Sequence, residues 1–218
     1  AVRPQLQHYL NPKYDAAIDK RTAIVAREFT DCTFLFAKVV GLSDVVSNSA
    51  YEPQLITTLL QDIFDRFDTL TDTYSVQRVR KTVNESYMVA AGLPDPDLLR
   101  SPKERALGVA SLAFAMLHVM DVLNAQIRES QPVDAPPIAP LDLQVGIHSG
   151  SAIAGIVGHR RIQYDLVGDA VNTAARMCSY SQPGRINVSP TTAEYLVGAY
   201  EMTARGERHI KGKGTMAT

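Results

Sequence analysis

Cysteine is scarce: the 218 residues hold two, Cys32 and Cys178. Two thiols build neither a disulfide framework nor a cysteine-based metal cluster, and as free thiols they fit a reducing compartment. Excess charge is also missing, with 22 basic residues against 23 acidic and a net charge of −1. No basic run occurs, so nucleic-acid binding is excluded as the main task. No uninterrupted apolar stretch reaches the ~18 residues that a membrane-crossing helix needs. The most apolar segment, Gly108 to Met120, contains His118 and reads as a core helix. No signal peptide opens the chain. The start at Ala1 and the stop after KGKGTMAT read as a domain cut from a longer protein, whose other parts can include a membrane anchor.

Several motifs of catalysis are absent as well. GIHSGSAIAGIVG, 146 to 158, is glycine-rich but contains no GxxxxGK[ST] and no GxGxxG opening a helix. His148 has no Cys or Asp at a metal-ligand or triad spacing and reads as a satisfied strand histidine.

What remains is an ordinary globular composition, 45% apolar and 21% charged, in a chain long enough for one large core. Residues 1 to 28 are polar and mixed, a lead-in helix or linker, and 29 to 218 form the domain. Strands are expected at Thr33 to Val40, Val76 to Val83, Ser86 to Ala91, Leu141 to His148, Ser151 to Val157, Ile162 to Val167 and Arg185 to Val188. A last strand pair is expected near Tyr200. Leu55, Ile56, Leu59, Leu60, Ile63, Phe64 and Phe67 make an amphipathic helix from Pro53 to Leu70. Ser101 and Glu104 form a capping box that opens a long helix from Pro102 to Ile127. Asp169 is expected to cap a helix from Ala170 to Ser179, and a short helix starts at Pro190. Helices packed on a mainly antiparallel sheet, an α+β fold, are the natural class.

Within the first strand, FLFAKVVGLSD places Lys38 on the face that alternation assigns to Phe34, Phe36 and Val40. A buried ammonium is costly unless it is paired or its stem reaches water. Elsewhere Asn172 and Arg176 stand four apart on one helix face, and Ala174, Ala175 and Cys178 let that helix approach a neighbour closely. Amide and guanidinium together suit charge stabilisation on a phosphoryl group, although such pairs are also ordinary surface features. Lys81 on its strand, and Lys211 and Lys213 among glycines, are possible phosphate contacts or simply solvated lysines.

In order, FAKVVG, KTVNESYMVAAGLP, VGIHSGSAIAGIVG, YDLVGDAVNTAARM and KGKG resemble the class III nucleotidyl cyclase catalytic domain, over roughly residues 30 to 215. The resemblance implies a ferredoxin-like α+β fold that works as a dimer. It implies conversion of a nucleoside triphosphate to a 3′,5′-cyclic monophosphate and pyrophosphate, an in-line phosphoryl transfer assisted by two Mg²⁺ or Mn²⁺ ions. Residue by residue, Lys81 and Asp165 stand at the base-reading positions of adenylyl cyclases, with Leu166 and Val171 as further substrate-binding positions. An ammonium donates to adenine N1 and a carboxylate accepts from the N6 amine. Guanine reverses both contacts, and a site built for hydrogen bonds rejects such an analogue by up to ~10⁴-fold. Guanylyl cyclases typically carry Glu at the lysine position, so the resemblance favours ATP. Asn172 matches the ribose-orienting residue, Arg176 the residue that stabilises the pentavalent phosphorus, and Lys211 the triphosphate lysine.

Two positions depart from the pattern. Where the family holds its metals with two aspartates, this chain has Lys38 and Glu85. An ammonium repels Mg²⁺ at a few ångströms, so this chain is expected not to hold the catalytic metals. It resembles the metal-deficient second half of heterodimeric adenylyl cyclases, whose partner domain supplies the two aspartates and the ions. The isolated chain, homodimeric or not, is then expected to be nearly inactive. A non-catalytic pseudo-cyclase that dimerises or senses nucleotide is the alternative, and an active homodimer using Glu85 alone is a third. Lys38 either pairs with Glu85 or snorkels from the strand end. The domain is expected to be cytoplasmic.

Overall fold

The computed structural model of the chain describes residues 25–47, 53–74, 77–78, 86–93, 100–130, 138–157, 163–210 and 214–218. Among them, eight strands and five helices follow one another along the chain. β1 is Val25–Val40, β2 Gln77–Arg78, β3 Ser86–Ala91, β4 Asp142–Val157, β5 Gln163–Val167, β6 Arg185–Val188, β7 Glu207–Ile210 and β8 Gly214–Ala217. The helices are α1 Leu42–Ser47, α2 Pro53–Tyr74, α3 Pro102–Ser130, α4 Asp169–Ser179 and α5 Pro190–Leu196.

The main sheet runs β2-β3-β1-β4-β5, with β6 joined to β4. All neighbours are antiparallel except β6, which lies parallel to β4. β4 gives one edge to β1 and divides the other: β6 pairs with Gln144 to Ile147, and β5 with Ile153 to Val157. β7 and β8 form a separate hairpin.

Alternation along the strands creates two cores, one on each sheet face. Leu35, Ala37, Val39, Val89, Leu143, Val145 and Ile147 point into the larger one, where Ile63 and Phe67 of α2, Ala113 and Met116 of α3 and Leu196 of α5 cover them. Cys32, Phe34, Met88, Ala90, Ala152 and Ala154 point the other way, against Ala170, Val171 and Ala174 of α4. A bulge in β1 keeps the second core continuous. Its register shifts by one residue between Phe29 and Cys32, and Asp31 adopts φ 56° there. In a regular strand Phe29 and Cys32, three residues apart, would face opposite sides, and the bulge turns both to the same face.

The α+β class, the capping box and most elements stand as expected. Glu104 accepts from Ser101 N at 2.6 Å, and Glu104 N donates back to Ser101 Oγ at 3.2 Å. Ser101 N, and Ser101 Oγ at 2.8 Å, both donate to the exposed Glu104 carboxylate and hold it below its ordinary range. α3 is long and apolar enough to cross a membrane by length and composition, yet Val109, Leu112, Ala113, Met116 and Met120 are buried against the sheet and α2.

Several expectations need correction. β1 begins at Val25, inside the stretch read as a lead-in, because the far half of β4 reaches out to pair with it. The two strands expected at 141–148 and 151–157 are one, since Gly150 marks a close helix contact, not a break. α2 and α3 run on to Tyr74 and Ser130. Helix α1 was not foreseen. Gly168, not Asp169, is the N-cap of α4, with no side-chain cap, and Asp169 sits in the first turn. The final hairpin lies at 207–217 and not near Tyr200. The turn expected at Asn84-Glu85 lies outside the described residues.

Candidate active site

The sequence of α4 divides cleanly between two faces. Ala170, Val171, Thr173, Ala174, Met177 and Cys178 are buried, whereas Asn172 is exposed and Arg176 half-buried on the other side. The small inward residues let the helix lie almost on β4. At Gly146 even one methyl group would collide with the backbone of Met177 and Cys178. At Gly150 a methyl would stand 3.0 Å from Ala170 Cβ. The end of the helix is pinned by polar bonds. Buried Asn187 on β6 donates to Met177 O at 3.0 Å, and Cys178 Sγ contacts Gln144 O at 3.2 Å. The Asn172–Arg176 face is therefore presented by a rigidly seated helix.

The β7–β8 hairpin is tied to the same helix end. Tyr180 Oη donates to His209 O at 3.1 Å, and Arg205 Nη1 donates to Tyr180 O at 2.7 Å. Lys211, expected to hold the triphosphate, lies outside the described residues. Lys81 and Glu85 lie outside them too.

Asp165 lies half-buried on edge strand β5, where its Oδ1 accepts from Leu166 N at 2.9 Å. Alternation turns it away from α4's side of the sheet, since neighbouring Leu166 is buried beneath that helix. On Asp165's side, Ile153 and Val167 are directly paired and remain 49% and 59% exposed. Leu166 and Val171 are both buried, so only their main-chain groups can reach a ligand.

Lys38 is exposed, so no buried ammonium has to be neutralised. It sits at the sheet end opposite Ser86 and Gln144, both uncharged. Its neighbour on α4 is Cys178, whose thiol burial pushes up to about 12 against the opposing pull of the Lys38 backbone N–H and ammonium. A cation flanked by neutral side chains does not fit a divalent metal. Among the described residues no cluster of three or more His, Cys, Asp or Glu side chains gathers to hold one.

The sequence reading missed Asn187 and the buried hydroxyls of Thr33, Ser149, Ser189 and Thr192, which no local pattern marks. His148 is satisfied, with Nδ1 bonded to Ser189 Oγ at 2.7 Å.

Residues 24–218 match the family model described as "Adenylate and Guanylate cyclase catalytic domain". The chain is 37% identical over 197 residues to the guanylate cyclase soluble subunit beta-2 of Rattus norvegicus, covering 89% of this chain and 26% of that protein. It thus spans about a quarter of the length of that relative. Among solved structures, the adenylyl cyclase CyaB from P. aeruginosa superimposes with a TM-score of 0.77 at 25% identity, over 88% of this chain and 93% of that one. The catalytic core of a rhodopsin-guanylyl cyclase with converted specificity, in complex with ATPalphaS, gives 0.71 at 26% identity, over 88% and 95%.

Proposed function

Because the chain belongs to the adenylate and guanylate cyclase catalytic-domain family, we propose that it is the ATP-reading, metal-deficient half of a heterodimeric adenylyl cyclase. One observation carries this reading. Lys38 occupies the sheet end where the family keeps an aspartate, while Asn172 and Arg176 stand on the open face of a tightly seated α4. One half-site has lost its metal chemistry and the other is intact.

In the reaction the ribose 3′ oxygen attacks the α-phosphorus in line, and pyrophosphate leaves. Arg176 donates to the equatorial oxygens as charge builds on them, and Asn172 orients the ribose. Lys211 holds the departing phosphates. Aspartates of the partner domain would hold two Mg²⁺ or Mn²⁺ ions, which would supply Lewis acidity. Lys81 and Asp165 favour adenine over guanine by their donor and acceptor pattern, even though the beta-2 relative is named a guanylate cyclase. The exposed Ile153–Val167 pair beside Asp165 supplies apolar contact surface for the partner. Two buried free thiols suit the reducing cytoplasm.

The test is complementation. Mixed with a cyclase domain that carries both aspartates, the chain is expected to make cyclic AMP from ATP with Mg²⁺ or Mn²⁺, and little cyclic GMP from GTP. Robust turnover by the chain alone would overturn the reading. Binding of an ATP analogue without turnover in any pairing would mark a regulatory pseudo-cyclase instead.

A further inference from the structure

β4 presents three residues to α4 between Gly146 and Gly150: the two glycines and His148. The imidazole leans over Gly150. A methyl on that glycine would meet Ala170 Cβ of α4's first turn at 3.0 Å and His148 Nε2 at 3.3 Å. One end of the ring therefore fills the notch between β4 and the start of α4, two residues before Asn172. The other end, Nδ1, bonds Ser189 Oγ, the N-cap of α5. This lies where β4's outer edge passes from β6 to β5, with residues 148–152 paired to neither strand.

Ser189 opens a buried chain of hydroxyls. Ser189 Oγ bonds Thr192 Oγ1 at 3.1 Å, Thr192 Oγ1 donates to Ser149 Oγ at 3.1 Å, and Ser149 Oγ bonds Thr33 Oγ1 at 2.9 Å. Ser189 and Thr192 are fully buried, so each of these bonds needs a proton. A hydroxyl has only one to give. Thr192 gives its own to Ser149, so Ser189 must be the donor to Thr192. Ser189 then has none left for the imidazole, and His148 Nδ1 must donate to Ser189. The chain thus makes Nδ1 a donor and ties the ring to the N-cap of α5.

We infer that His148, whose Nδ1–H donates to Ser189, is a positioning residue that sets the first turn of α4 and with it the Asn172–Arg176 face. It touches no substrate in this scheme. It acts as a spacer whose far end is clamped to α5 and β1, so that α4 inherits the rigidity of the larger core.

The kinetic arm of the test rests on the reading of Asn172 and Arg176 given above. In the complemented enzyme, His148→Ala and Ser189→Ala are each expected to lower kcat by about tenfold or more, the scale of a sub-ångström to 1 Å displacement. KM for ATP should hold within about threefold, because the loss falls on the transition state. The double variant should be no worse than either single one, since the two side chains act as a unit. Additive losses, or unchanged kcat in a folded His148→Ala protein, would overturn the inference. Two arms need no turnover. Nitrogen-15 NMR of His148 is expected to show a protonated Nδ1, and an unprotonated Nδ1 sinks the proposal. Both single variants should shift the Asn172 amide and Arg176 Nε–H resonances alike, and unmoved resonances also sink it. An inactive complemented wild type with these NMR results intact would count against the proposed function and leave the positioning role standing.

Discussion

Both cysteines work as small apolar residues whose thiols stay protonated. Burial raises Cys32 to about 11 despite nearby Arg105, and Cys178 to about 12 despite Lys38. Each folded-state value lies above the ordinary 9.0. The native state then holds more protons than the unfolded chain above that pH, so the thiols' contribution is fully present below 9.0 and drains away as pH climbs towards 11 and 12. The urea midpoint of the wild type should fall between about pH 8 and pH 10.5, and Cys178→Ala should show a shallower fall. Equal slopes would mean that Cys178 ionises freely in the folded protein. Lys38 was legible in sequence as an anomaly, but its environment was not. Period-2 alternation assigned it to a face and could not say that it stands exposed there, two residues before the strand's end and beside the last turn of α4. Asp165 was legible by its place in YDLVGDAVN, whereas its position beside the exposed Ile153–Val167 pair depends on strand register.

Helix α4 is the element on which the site depends, and its seat is made of absences. Gly146 has no side chain because Met177 and Cys178 occupy that space with backbone atoms. Gly146→Ala must push the end of α4 away from β4, breaking the Asn187–Met177 and Cys178–Gln144 contacts. Overpacking of this kind costs about 1–3 kcal/mol, and more where the obstacle is main chain. The complemented enzyme carrying it should lose at least about a hundredfold in kcat, since Arg176 lies one residue from the displaced segment. A variant with wild-type kcat would show that the helix end can move without moving the guanidinium. The glycines also explain where strand reading failed. Gly150 looks like a break in a one-dimensional pattern, because a strand glycine commonly marks a bulge or bend. Here it serves a helix 20 residues later in the chain, a contact that no local window contains. The amphipathic α2, the capping box of α3 and the hydrophobic β3 are specified locally, and they appear where the pattern puts them.

At the scale of the whole chain, the described residues make a fold held by two apolar cores, and the proposed function assigns it one half of a site. Its larger core, shared by α2, α3 and α5, owes nothing to a metal, and the smaller core beneath α4 positions Asn172 and Arg176 without one. The fold is therefore separable from the metal chemistry, and the missing chemistry should be restorable. In the proposed reading Lys38 and Glu85 take the positions of the family's aspartates, and Lys38 is exposed near a strand end opposite uncharged Ser86 and Gln144. Lys38→Asp there removes a cation and disturbs no packed neighbour, so stability should change by less than about 0.5 kcal/mol. Paired with Glu85→Asp, it creates two carboxylates in each copy of a homodimer. The doubly substituted chain, alone with Mn²⁺ or Mg²⁺, should then make cyclic AMP at least about a hundredfold faster than the wild-type chain alone, the scale of a metal's share in charge stabilisation. Lys38→Asp by itself should recover only part of that rate, because Glu85 is a methylene too long. A doubly substituted chain that folds, dimerises and binds Mn²⁺ without turning over ATP would show that more than the metal ligands has been lost. It would shift the weight to a regulatory role. Recovery of activity would mean that every other catalytic group of the half-site is still in working position.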